Sequence, residues 1–160
     1  MREDSSMTDT QATQELVMTR VFDAPRELVW RAFTDPDQFA EWFAPVGWSV
    51  PRNTVDMDVR VGGHQRFVMV NDEDPAMTSP ADGTFSEVVK HELLVGYEEA
   101  HGVPGVPDGT RFTLRLEFHT EPGDRTRLVL RQGPFAPEMR SGAEQGWGSS
   151  FTKLDALLAR

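Results

Sequence analysis

Residues 143–158, AEQGWGSSFTKLDALL, place apolar side chains at Ala143, Trp147, Phe151, Leu154, Leu157 and Leu158. That spacing (i, i+4, i+8, i+11, i+14, i+15) makes one stripe along a four-turn helix, and such a stripe must be buried against something. The segment upstream supplies the partner. Phe112, Leu114, Leu116 and Phe118 alternate with Thr113, Arg115, Glu117 and His119, the pattern of an antiparallel strand with one face buried and one solvated. EPGD at 121–124 turns the chain back into TRLVLRQ, where Leu128 and Leu130 continue the inward face. Strand grammar followed by a long amphipathic helix predicts an α+β domain in which a curved antiparallel sheet grips that helix.

Working toward the N-terminus, ELVMTRVF (15–22) reads as a first strand, with Leu16, Met18 and Phe22 on one face and Val17, Thr19 and Val21 on the other, so that both sides can pack. DAPRELVWRAF follows as a short helix, with Asp23 as cap, Pro25 in the first turn and an apolar stripe of Leu28, Val29, Ala32 and Phe33. Asp35 and Pro36 open a second short helix carrying Phe39, Trp42 and Phe43, which Pro45 stops. VDMDVRV, the turn Gly62-Gly63 and HQRFVMV make a hairpin, and residues 71–82 read as a polar loop. GTFSEVVKH and LLVGYEEA make a second strand pair, followed by a proline-rich loop, GVPGVPDG. The count is six to seven strands, two short helices after the first strand, and one long C-terminal helix. Gly146 and Gly148 lie within that helix, where each costs about 1 kcal/mol relative to alanine. Close approach to the sheet, or space for a ligand, would offset this.

A chain of 160 residues suits one domain. Residues 1–14 are expected to be a disordered polar tail, 15–160 the domain, and Met7 is an alternative start. Without a secretory core in the tail, the expected location is the cytoplasm. The net charge of −10 argues against nucleic acid and anionic lipid as partners, and no apolar run is long enough for membrane insertion. The absence of cysteine removes thiolate chemistry and zinc–thiolate sites. His64, His91, His101 and His119 show no metal-ligand spacing, and there is no GxSxG, P-loop or GxGxxG before a helix, so no metal or cofactor is expected.

TRVFDAPRELVWRAFTDPDQFAEWF, VRVGG, GTFSEVV, TRLVLRQGPF and GWGSSFTKLDALL together resemble the bacterial relatives of the heat-shock chaperone ATPase activators, within the START-like or birch-pollen-allergen-like superfamily. The resemblance runs from about Leu16 to the C-terminus. It implies a helix-grip fold with a cavity between sheet and helix, which the superfamily uses for hydrophobic or aromatic small molecules and, in some branches, for polyketide cyclisation. It does not by itself confer a function. Gly96 and Glu98 interrupt the aromatic pattern that relatives carry in the fifth strand. The chaperone-activating role belongs to longer eukaryotic proteins.

On this reading Trp42, Phe43 and Trp48 wall the cavity mouth, and Trp147 and Phe151 face the sheet where they touch a ligand. Ordinary core packing is the plain alternative for each. Phe67, Met69, Phe85, Tyr97, Phe112 and Leu114 supply the remaining apolar lining, with Glu87, Tyr97 and Gln132 as polar groups. Glu87, two residues from Phe85, is expected to point inward, paired with Arg20, Arg66 or Arg111 or acting as a general acid or base. His64 and His101 are placed at the rim. The leading function is binding of a small hydrophobic ligand. The alternatives are a cyclase or lyase in which Glu87, His64 or Tyr97 moves a proton, and a chaperone-partner or regulatory module. Whether the chain forms a homodimer stays open.

Overall fold

Alternation determines the first strand. In the computed structural model, which describes residues 13–103 and 106–160, β1 spans Gln14–Phe22 with Leu16 and Phe22 buried. Val17 and Val21 are 41% and 42% exposed. The strand therefore packs on one face, not both, because the outer side of the sheet is solvated. The expected tail and the alternative start at Met7 lie outside the described residues, apart from Thr13 and Gln14, and Gln14 already belongs to β1.

Helix α1 (Arg26–Thr34) begins after Pro25 in the N-cap position, without a side-chain cap from Asp23. Its buried face is Val29, Trp30, Ala32 and Phe33, while Leu28 is 41% exposed. The stripe is thus rotated from the expected one: the larger Trp30 ring packs edge-on against Phe118 at 5.3 Å and turns Leu28 outward. Helix α2 (Pro36–Trp42) starts as its sequence dictates. Asp35 accepts hydrogen bonds from the backbone N–H groups of Asp37 (2.8 Å) and Gln38 (3.4 Å), and Pro36 occupies the first turn.

The sheet adds β2 (Trp48–Ser49), β3 (Asp56–Met57), β4 (His64–Asn71), β5 (Thr78–Val89), β6 (Leu93–Glu99), β7 (Arg111–Glu121) and β8 (Arg125–Phe135). Its order is β1-β8-β7-β6-β5-β4-β2, antiparallel throughout, with β3 also paired to β4. The eight strands exceed the expected six to seven because β2 and β3 are two-residue pieces, too short to show a period. β5 starts at Thr78, inside the stretch expected to be loop. Its first residues pair with β4 alone, since β6 joins only from Thr84, and such an edge segment tolerates Pro80.

Helix α3 (Pro137–Leu158) lies across the concave face and buries Trp147, Ser150, Phe151 and Leu154. Phe151 is the hub. Its ring centroid lies 5.3 Å from Phe22, 6.3 Å from Trp42 and 5.7 Å from Trp147, so β1, α2 and α3 meet on one side chain. Arg20 of β1 pairs with Asp155 of α3, its guanidinium 5.6 Å from the Phe151 ring centroid. Two polar links tie the loop after α2 to the helix: Val46 N–H donates to Ser149 Oγ (2.7 Å) and Lys153 Nζ donates to the Trp48 carbonyl (2.8 Å). Partial burial holds the Lys153 ammonium below the usual lysine range. No described helix is long and apolar enough to cross a membrane.

On the outer face, Arg115 (2.9 Å) and His119 (3.0 Å) both bond the Glu117 carboxylate and lower its pKa from the usual 4.5. A carboxyl whose folded-state pKa is depressed adds stability above its unfolded value and loses it as pH falls through the folded one. Glu117→Gln should therefore lower stability at pH 7 by less than about 1 kcal/mol, because the group is partly solvated. The difference should close in acid, and urea midpoints across pH 3–7 check this. In the core, Phe151→Ala is expected to cost about 3–5 kcal/mol, against no more than about 0.5 for Leu28→Ala, read from the same urea titrations.

Candidate functional site

The sheet and α3 do not meet everywhere. Toward the β4–β6 side they separate around a cavity of about 320 Å³, open to solvent at one end. Protein interiors seldom leave voids larger than a water molecule, and small-molecule pockets start at about 300 Å³. Pleat parity decides what faces this space. Gln65, Phe67 and Met69 alternate along β4, and Ser79, Ala81, Gly83 and Phe85 along β5. Leu94, Gly96 and Glu98 do so on β6, Phe112, Leu114 and Leu116 on β7, and Gln132 extends the inward face of β8. Ala143, Gly146, Trp147 and Ser150 form the roof on α3. Phe33, Phe39, Phe43, Ala44 and Pro45 close one side. Phe39 and Phe43 stack at 4.2 Å, and Phe43 meets the Trp147 ring edge-on at 5.4 Å. Leu94, Leu116 and Phe85 are buried at the floor, whereas Pro80 and Glu98 are exposed at the rim.

The structure thus places nine of the expected residues on the cavity: Phe43, Phe67, Met69, Phe85, Tyr97, Phe112, Leu114, Gln132 and Trp147. Four are elsewhere. Trp42 is 1% exposed and donates its indole N–H to the Ala32 carbonyl at 2.8 Å, a core role that ties α2 to α1. Phe151 is 1% exposed and surrounded by other aromatic rings, below the cavity rather than on it. Trp48 packs with Phe39 and Val55 in the cluster beneath α2.

Glu87 is corrected by a β-bulge. Phe85 pairs with Gly96 but Glu87 pairs with Val95, so Ser86 is an extra residue and the parity reverses after it. The Glu87 carboxylate lies on the outer face, 55% exposed, and its ionic neighbour is Arg115 at 3.8 Å rather than Arg20, Arg66 or Arg111. Tyr97 borders the cavity, yet it has the opposite parity to Gly96 and Glu98. Its ring therefore points outward, under the Arg111 guanidinium at 4.0 Å. His64 bonds Asp56 at 2.8 Å, and His101 is an exposed side chain near Glu99 at 3.9 Å; neither lines the cavity. The acid–base candidates Glu87, His64 and Tyr97 therefore do not bring their titrating atoms to this space. Among the described residues no cluster of three or more His, Asp or Glu is placed to hold a metal.

Sequence reading missed Gln65 and Ser150, and noted Glu98 only as an interruption of the fifth strand's aromatic pattern. Each carried a signal. Gln65 shares parity with Phe67 and Met69, Glu98 with Leu94 and Gly96, and Ser150 follows Trp147 by i+3. Gly146 answers the question its helical position raised: a Cβ there would meet nothing within 4 Å, so it leaves open space and no close backbone approach.

Solved structures with this architecture are numerous. A protein from Nitrosomonas europaea is 27% identical with a TM-score of 0.75, covering 93% of this chain and 95% of its own. An AHSA1 protein from Silicibacter pomeroyi is 26% identical with a TM-score of 0.76, covering 91% of this chain and 98% of its own. A protein from Chromobacterium violaceum, at 23% identity and a TM-score of 0.78, covers 91% and 97% and shares the fold. No curated protein matches. A family model described as "Activator of Hsp90 ATPase homolog 1-like protein" matches residues 23–159, from the turn before α1 to the end of α3. The helix-grip architecture and this match agree, and the chain belongs to that family.

Proposed function

We propose that the protein binds a small hydrophobic or aromatic molecule in the cavity between the sheet and α3. The observation that carries this reading is an open space of about 320 Å³, walled by Phe39, Phe43, Phe67, Phe85, Phe112 and Trp147, which the fold leaves unfilled. Aromatic walls offer large, rigid contact areas to a flat apolar molecule, and removing both surfaces from water drives association. A few polar groups interrupt the walls, as expected of a site that orients its occupant.

The two other readings have less support. Proton transfer needs a titrating atom beside the reacting one, and the three groups considered for it face elsewhere. A protein-docking surface calls for a contiguous apolar patch. Of the exposed large apolar residues, Val17 and Val21 share the outer face of β1, whereas Leu28, Val46, Val61, Met77, Val89, Val103 and Met139 are spread over separate turns and elements.

Gly146 supplies the test, because a side chain there would grow into the cavity without striking the sheet. Gly146→Leu should weaken binding of the neutral probe N-phenyl-1-naphthylamine by at least about tenfold, while stabilising the fold by about 0.5–1 kcal/mol through better helix propensity. Fluorescence titration and urea unfolding read the two effects. Unchanged probe binding in this variant would sink the proposal. Native mass spectrometry of the wild-type protein from its own host should reveal a copurifying small molecule.

A further inference from the structure

We infer that the occupant of the cavity is a neutral, mainly apolar molecule bearing a carbonyl or similar hydrogen-bond acceptor beneath α3, and that carboxylates such as fatty acids are rejected. This rests on reading the cavity as a ligand site. Three independent features of the lining carry it.

The first is the orientation of Gln132. The Trp147 indole N–H is 2.7 Å from the Gln132 side-chain oxygen, and an indole nitrogen can only donate. The amide oxygen is therefore committed to Trp147, and the atom left for the cavity is the NH₂, which makes no hydrogen bond among the described residues. The second is Ser150. It is 5% exposed, lines the cavity three residues along the same helix face, and its hydroxyl makes no hydrogen bond among the described residues. Buried polar groups are nearly always paired. A hydrogen-bond acceptor on a ligand would satisfy such a donor, whereas a purely apolar ligand would leave both unmet.

The third is charge. Among the described lining residues there is no arginine, lysine or histidine, and the single carboxyl side chain is Glu98 at the rim, where it accepts the Asp82 backbone N–H at 2.9 Å. Arg20 is the cation on the inward face of β1, and Asp155 occupies it. A carboxylate entering this space would give up its hydration with no cation to replace it. It would also approach a chain of net charge −10.

Displacement of N-phenyl-1-naphthylamine from the full chain by three matched probes, naphthalene, 2-acetylnaphthalene and 2-naphthoate at pH 7.5, tests the inference. The ketone should bind about tenfold tighter than naphthalene, the scale of one well-made hydrogen bond. The carboxylate should bind at least about tenfold weaker than the ketone, for want of a counter-charge. Ser150→Ala and Gln132→Leu should each lower the ratio of ketone to naphthalene affinity, whereas Glu117→Gln, on the outer face away from the cavity, should leave both affinities and their ratio unchanged. Naphthoate binding as tightly as the ketone, or naphthalene matching it, would overturn the inference and leave the cavity a ligand site. Failure of the reporter dye and of every probe to bind would overturn both.

Discussion

A single α-helix is about 10–12 Å across, whereas seven strands laid side by side span about 29 Å. This mismatch governs the molecule. One long helix cannot cover the concave face of the sheet, even when the sheet curls around it, so part of that face needs other cover. α1 and α2 supply part of it, bringing Phe33 against Phe118 and Phe39 against Phe67. Beyond them nothing is inserted, and the gap between β4–β7 and α3, closed on one side by Phe39 and Phe43, persists as the cavity.

Both regions depend on aromatic side chains, used in opposite ways. Around Phe151 the rings fill space, Phe22 meeting it edge-on and Trp42 and Trp147 closer to parallel, with Trp42 additionally held through its indole N–H. Around Trp147 the rings of Phe43, Phe67 and Phe112 stand as walls, and the Trp147 indole N–H is used to set the rotamer of a polar neighbour. One helical stripe thus changes character within a single turn. From Phe151 onward it anchors the helix; before Phe151 it bounds a space. The loop that closes the cavity beside Phe43 is held to the same helix through Ser149 and Lys153.

Periodicity made the architecture legible, and it also explains the errors. The alternation in Phe112–Phe118 and the stripe from Ala143 to Leu158 state which side faces inward, and the structure follows both. Glu87 was misplaced because one inserted residue, Ser86, reverses the parity of everything after it, and no residue type announces such a bulge. Tyr97 borders the cavity as expected, yet its ring turns outward, because the pairing of Gly96 with Leu114 makes Gly96 and Glu98 the inward pair. Trp42 and Phe151 are indistinguishable from cavity walls in sequence, because fillers and walls share the same stripe and only three-dimensional packing separates them. The polar inward residues Gln65 and Ser150 went unnoticed since a search for buried positions looks first for apolar ones.

Gly146 leads to a different consequence. The size of the cavity depends in part on a side chain that is missing, at a position where the backbone is ordinary helix and the neighbouring space is empty. Changing that residue alters the volume available to an occupant without disturbing sheet register, caps or the Phe151 cluster. The volume of the cavity is thereby uncoupled from whether the chain folds. A larger side chain at position 146 would narrow that space and leave the core in place, so the volume of the cavity and the stability of the fold answer to different residues.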